Sequence, residues 1–442
     1  MQSNPVPVNR RTFLLQSAAA ATLPILGRAP SKTAAPLHVN GDRLNGWLTA
    51  FNGIGRTVGG INRVAYSPAD LAGRAFTLDL FRQSGLTPRI DAAGNIIARL
   101  AGSNPALSPI LIGSHVDSVT DGGNFDGPVG SFGAIEVARS LHEQRVTLHH
   151  PLDVVVWQNE EGGTIGSKLA IGALRDSELG NVARSGKTLR EGIALTGGDV
   201  TQLASVVRRK GDIACYIELH IEQGGNLEKA GTHIGVVQGI VGIRWIEITI
   251  TGTANHAGAT PMDQRQDAML AAAKCTVAIT DATRAEPGRQ VATVGRIVPQ
   301  PNTTNIIAGS VVMTIDLRDL DEATLVRFNA RFEQIGREIG RETQTTFAFR
   351  SLVNSTPALA DERIMGWIDA SAASLGLSHM RMPSGAGHDA QEIAQIAPMG
   401  MIFIPSIGGV SHSPREFSTA VDITRGADVL LNAVIAADTS LF

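Results

Sequence analysis

The spacing of apolar and polar positions changes period several times along the chain. After Ser67-Pro68, apolar residues recur at Leu71, Ala75, Leu78 and Phe81 until Gly85. That spacing predicts a helix with Ser67 as its N-cap and the proline in its first turn. Unbroken apolar runs at 95–100, 109–113 and 152–157 lack the helical period and read as buried strands, with a helical stretch at 129–144 between the last two. Further strands are predicted at 213–219, closing on His220, and at 399–404. Strands that alternate with helices predict an α/β fold with a doubly wound, mostly parallel sheet. Ligands of such sheets collect beyond the carboxyl ends of the strands.

Between 242 and 356 the pattern changes to an alternating strand at 245–251, a helix at 268–282, strands near 291–298 and 311–317, and a second helix and strand across 322–349. Two strand-helix-strand halves predict an inserted α+β domain of ferredoxin-like type. The expected organisation is therefore a catalytic domain in two parts, 36–241 and 357–442, interrupted by a lid or dimerisation domain at 242–356. Residues 1–35 stand apart, because Arg10-Arg11 directly precede an apolar run at 13–27 and so resemble a twin-arginine export signal. That run is interrupted by Gln16, Ser17, Thr22 and Pro24 and is shorter than the roughly 20 residues a bilayer requires. A soluble periplasmic or otherwise exported protein without a permanent membrane anchor is expected.

Composition narrows the function. Thirty-eight Lys and Arg against 41 Asp and Glu give a formal net charge of −3, which supplies no basic field for a nucleic-acid backbone. Two cysteines, Cys215 and Cys275, allow neither a thiolate zinc cluster nor a disulfide framework, and are expected as buried free thiols.

The chemistry gathers at the predicted strand ends. In Gly113-Ser114-His115-Val116-Asp117, followed by Gly122-Gly123-Asn124-Phe125-Asp126-Gly127, His115 and Asp126 are suitable ligands for a divalent ion. Asp117 is expected to accept the second imidazole N–H of His115 and fix its tautomer. The next strand delivers Glu160-Glu161, adjacent carboxylates that diverge, so that one can bind metal while the other faces a water. His220 closes another strand, and His412 sits in the glycine-rich loop after the last one.

Together these residues resemble the co-catalytic dinuclear metallohydrolases of the M20 peptidase superfamily. The segments H-x-D-x-x-x-x-G-G-x-F-D-G, E-L-H-I-E-Q-G, N-H-A-G-x-T-P-M and G-A-G-H-D-A resemble its hydantoinase/carbamoylase branch, and the resemblance runs over the whole chain after the signal. It implies that Asp126 bridges two metals, with His115 and His220 on one, Glu161 and His412 on the other, and Glu160 as general base. Imidazole and carboxylate ligands suit Zn, Mn, Co or Ni. It also implies that Gln223, His256, Asn305, Arg318, His388 and Asp389 hold substrate, and that the insert mediates homodimerisation. Arg318 would take a substrate carboxylate; on spacing alone it could equally pair with Asp319 or Asp321, and Asp389 could equally be a helix N-cap. The expected reaction is hydrolysis of a linear C–N amide in a carbamoyl or ureido group beside a carboxylate. Two other readings are an aminoacylase or dipeptidase, which would carry a carboxylate where this chain has His220, and an exported binding protein without catalysis, which would not need Glu160.

Overall fold

In the computed structural model, which describes Met1 and residues 35–441, the longest apolar runs lie side by side. Arg10, Arg11 and the apolar run on which the export reading rests fall outside the described residues. Four strands form the centre of a nine-stranded sheet, in the order Leu152–Trp157, Ile110–His115, Cys215–Ile221, Met399–Ile404. All four run parallel, and every residue in them is buried. Continuous apolar runs are what a strand covered on both faces requires. The neighbours are antiparallel: Ile96–Leu100 flanks one side of the four and Ile234–Ile240 the other. The sheet is thus mixed, with a parallel centre.

Two helix groups cover the central strands. Pro128–Glu143 and Ala420–Leu441 pack together on them, and the short helices Ile165–Ala170 and Asp389–Ile393 form a separate pair. The helix predicted after Ser67 spans Pro68–Gln83, with the Ser67 hydroxyl accepting the Asp70 N–H at 3.1 Å.

A second sheet has its own core. Its order is Thr346–Ser355, Gly242–Thr251, Ser310–Asp319, Val291–Gln300, and all its pairs are antiparallel. Ile246, Ile248, Ile250 and Met313 pack with Cys275, Phe328 and Phe332 from the helices Ala268–Ala285 and Glu322–Thr343. The alternation in Ser310–Asp319 is strict: Val311, Met313, Ile315 and Leu317 are buried, so Asp316 and Arg318 share the opposite face. A two-stranded ribbon, Asn255–His256 with Ile306–Ile307, stands beside this sheet. Cys215 and Cys275 are buried and unpaired. No described helix is long and apolar enough to cross a membrane.

Candidate active site

The parallel order explains why residues far apart in sequence meet. His115 is the last residue of its strand, His220 the last but one of the adjacent strand, and Glu160-Glu161 and His412 follow the ends of the two outer central strands. Asp126 enters from the loop before Pro128–Glu143 and stands between them. Its Oδ1 lies 3.1 Å from His220 Nε2 and 3.6 Å from His115 Nε2. Its Oδ2 lies 3.1 Å from His412 Nε2, which is 3.5 Å from Glu161 Oε1.

The imidazoles are turned for a cation. His115 Nδ1–H donates to the Asp117 carbonyl at 3.1 Å and His220 Nδ1–H to the Ile221 carbonyl at 2.9 Å. A carbonyl only accepts, so each ring carries a proton on Nδ1 and its neutral form aims an Nε2 lone pair at Asp126. His220 Nε2 is buried without a hydrogen-bond partner. Lone pairs facing a carboxylate require positive charge between them. With protons alone, burial opposes the charge on His115, but Glu160, Asp117 and Asp126 hold that ring well above the usual histidine range. The hydrogen bond to Asp126 lifts His412 to about 9. Burial works against charge on Asp126 too, yet the three imidazoles hold its carboxyl well below the usual range. A divalent cation meets the same demand and displaces those protons.

Two donor triplets fit such an ion, each with its ligand atoms within 4.8 Å of one another: His115, Asp126 and His220, and Asp126, Glu161 and His412. They share Asp126. A third cluster, Glu218, His220 and His388, is already satisfied, because Glu218 accepts from Ser114 and Tyr216 and His388 Nε2 meets the Ser384 hydroxyl at 2.9 Å.

Asp117 acts differently from expectation. Its carbonyl, not its carboxylate, takes the His115 N–H; the carboxylate oxygens accept the backbone N–H groups of Glu160 and Glu161, each at 3.1 Å. The reason is reach, since Oδ1 lies 3.6 Å from Nδ1. Asp117 therefore sets the direction in which both glutamates leave the backbone. Glu160 Oε2 points to within 3.7 Å of His115 Nε2. Burial first, then Asp389, Glu161 and Asp117, push the Glu160 carboxyl well above the usual range against the pull of His115. Burial and Asp126 push Glu161 up to about 7.

Of the residues expected to hold substrate, Gln223 reaches the centre, its Nε2–H donating to Asp126 Oδ2 at 2.7 Å. Gln223, His412 and Arg318 line one cavity of about 550 Å³. Arg318 pairs with Asp316, through Nε at 2.9 Å and Nη2 at 2.8 Å, rather than with Asp319 or Asp321, and its Nη1–H donates to the Gly385 carbonyl at 2.6 Å. Asp316 is two residues away along a strand and so on the same face. His256 and Asn305 are exposed on the ribbon segment, and neither belongs to a donor triplet. His256 Nδ1 accepts the N–H groups of Gly258 and Ala259, which leaves Nε2–H free to donate. His388 and Asp389 do not line the cavity. The His388 ring packs edge-on to His220, with centroids 4.5 Å apart, and Asp389 is fully buried, accepting from the Ser167 hydroxyl. Asp389 is not the N-cap either; that position is His388.

Sequence reasoning missed Glu416. Its Oε1 accepts the N–H groups of Phe125 at 2.8 Å and Asp126 at 3.1 Å, and Ser411 donates to its Oε2 while also reaching Asp126 Oδ2 at 3.2 Å. Asn159, Gln223 and His412 all adopt left-handed backbone, with φ of 52, 59 and 51°. Each lies in a strand-end segment of the site, where such strain is concentrated in proteins. Gly127, at φ 82°, is packed so closely that an added Cβ would lie 2.5 Å from the His115 ring. Gly127→Ala is expected to displace His115, lower the thermal midpoint and weaken cation binding more than tenfold; calorimetry and a chelator titration check it.

Parallel strand ends that gather imidazoles, a shared carboxylate and a buried spare carboxyl form an arrangement that fits a hydrolase. The family model "Peptidase family M20/M25/M40" matches residues 111–436, and the chain belongs to that family, in its hydantoinase/carbamoylase part. It is 37% identical over 402 residues to an N-carbamoyl-L-amino acid amidohydrolase of Geobacillus stearothermophilus, covering 90% of this chain and 98% of that one. It is 34% identical over 392 residues to the allantoate amidohydrolase of Escherichia coli, covering 87% and 94%. A crystal structure of a hydantoinase/carbamoylase family amidase from Burkholderia multivorans superposes with a TM-score of 0.84 at 34% identity, covering 90% and 98%.

Proposed function

We propose that this hydrolase cleaves the linear C–N amide of a carbamoyl or ureido group on a small carboxylate-bearing substrate, such as an N-carbamoyl-L-amino acid or allantoate. The observation that carries the reading is one carboxylate, Asp126, common to two donor triplets, with the uncommitted Glu160 beside them. In the proposed assignment His115, Asp126 and His220 hold one divalent ion, Zn, Mn, Co or Ni, and Asp126, Glu161 and His412 hold a second. Bound there, the ions supply Lewis acidity to the scissile carbonyl and to the attacking water. Glu160 takes the proton of that water and returns it to the leaving nitrogen. Oxygen joins the carbonyl carbon as the C–N bond breaks, and the carbamate formed breaks down to ammonia and carbon dioxide. Asp117 holds Glu160 and Glu161 in position by their backbone N–H groups.

Arg318 binds the substrate carboxylate, Gln223 and Asn305 hold polar groups, and His256 donates from Nε2 to the developing oxyanion. The His388 ring supports His220 from behind, and Asp389 adds to the negative charge around Glu160. Because His256 and Asn305 lie out on the exposed ribbon, segment 242–356 is proposed to close as a lid in a homodimer, with His256 supplied to the site by a second copy. The paired arginines at 10 and 11 are proposed to direct export. The aminoacylase or dipeptidase reading is less well supported, since His220 occupies one triplet and the named relatives are amidohydrolases.

One assay separates these readings. Metal-loaded protein is incubated with N-carbamoyl amino acids, allantoate and N-acetyl amino acids, and ammonia is measured against free amine. Ammonia from a carbamoyl or ureido substrate is expected; turnover of the acetyl compounds alone would replace the proposal with the aminoacylase reading. Arg318→Ala is expected to lower kcat/KM by about 10²–10³-fold with cation content unchanged. A substrate whose carboxylate is replaced by a neutral amide should be poor with the parent chain and nearly indifferent to the substitution. Equal slowing of both substrates would make the arginine structural.

A further inference from the structure

One buried cation lies behind the candidate site without entering it. Arg63 is 0% exposed, with its guanidinium carbon 4.0 Å from the centre of the Phe51 ring. Its segment runs along the loop that joins His115 to Asp126. Ile61 and Gly122 exchange both backbone hydrogen bonds at 2.9 Å. Arg63 N–H donates to the Ser118 hydroxyl at 2.9 Å, and Ser118 N–H donates to the Arg63 carbonyl at 3.0 Å. From the side chain, Nε–H donates to the Val116 carbonyl at 3.2 Å, and Nη1–H donates to the Ile54 carbonyl at 3.0 Å and to Asn124 Oδ1 at 3.4 Å. Asn124 is in turn tied to the Leu48 carbonyl at 2.9 Å. The guanidinium therefore holds the first residue after His115 and the second residue before Asp126.

No carboxylate is hydrogen-bonded to Arg63 among the described residues, and its Nη2 has no hydrogen-bond partner there. Burial pushes the guanidinium down to about 9, while Asp70, Asp117 and Glu416 act electrostatically to keep it charged. Two of those carboxylates are the ones that fix the site backbone: Asp117 accepts from Glu160 and Glu161, and Glu416 accepts from Phe125 and Asp126.

We infer that Arg63 is a positioning residue for the cation site. By bracing the 116–124 loop and balancing Asp117 and Glu416, it sets where Asp126 stands between the two donor triplets. The inference rests on the two-cation reading. A planar fork with several donors can hold three carbonyl-type acceptors at once, whereas an ammonium keeps the charge but not that geometry.

The test uses the whole chain and Co²⁺ as probe. Arg63→Lys is expected to stay folded, to bind Co²⁺ about 10–100-fold more weakly in competition with a chelator, and to show a changed Co²⁺ visible absorption spectrum. Asn124→Ala, which removes one acceptor and keeps the arginine, should change the spectrum in the same direction by less. If Arg63→Lys does not fold, the Asn124→Ala spectrum and affinity decide alone. Parental affinity and spectrum in either folded variant, with only the thermal midpoint lowered, would overturn the inference and leave Arg63 as part of the packing. Absence of Co²⁺ binding by the parent chain would instead overturn the two-cation reading on which it rests.

Discussion

Glu160→Gln is expected to leave the fold and cation content unchanged while lowering kcat by at least 10²–10⁴-fold, the usual range for losing a general base. The amide keeps the volume of the acid and the backbone contact with Asp117, which involves the N–H and not the side chain. What it loses is the ability to accept a proton. Glu160 suits that task because its Oε2 stands beside the first donor triplet, 3.7 Å from His115 Nε2, while it belongs to neither triplet. Metal-replete Glu160→Gln protein with parental turnover would remove this residue from the mechanism. A circular dichroism spectrum and elemental analysis of the same sample guard against a trivial loss.

Asp126→Ala should fail in a different way. Its two oxygens face different imidazoles, His220 and His115 on one side and His412 on the other. Gln223 also depends on it, since it donates to Oδ2, and the Ser411 hydroxyl lies 3.2 Å from the same oxygen. Without this carboxylate, each triplet keeps only two donors and the positive groups around it lose their common partner. Both ions should be lost or weakened together, by more than the roughly 10–100-fold expected for a supporting residue. Activity should not return at moderate metal excess. Elemental analysis that finds two tightly held ions per chain in Asp126→Ala would contradict the shared assignment.

Much of the site's placement could be read along the chain because it depends on strand ends. Leu152–Trp157 and Met399–Ile404 match the predicted apolar runs residue for residue, the first leading directly into a polar cluster and the second reaching one through a glycine-rich loop. The predicted run at 109–113 stops short of His115, because polar residues at a strand's carboxyl end look like loop until the neighbouring strand is seen, whereas the run closing on His220 matches a strand that continues one residue further. Arg318 was open to a better reading, since period-two alternation alone puts Asp316 on its face and Asp319 on the other. Glu416 and Arg63 could not be read this way: Glu416 is 290 residues from Asp126, and two of the three acceptors of the Arg63 side chain are backbone carbonyls that any residue could offer. For His388 and Asp389 the segment was recognised but not its depth, which is set by packing of His388 against His220 and by the hydrogen bond that Asp389 accepts from the Ser167 hydroxyl.

The left-handed backbone at Gln223 and His412 also bears on how this protein would respond to engineering. A glycine at either position would relieve a conformation that costs a side-chain-bearing residue on the order of 1–3 kcal/mol. A library screened only for heat tolerance would therefore favour such changes, and would enrich for robust chains that have lost Gln223's hydrogen bond to Asp126 or a donor of the second triplet. Thermostabilisation of this scaffold calls for turnover to be selected in every round, with both positions held fixed from the outset.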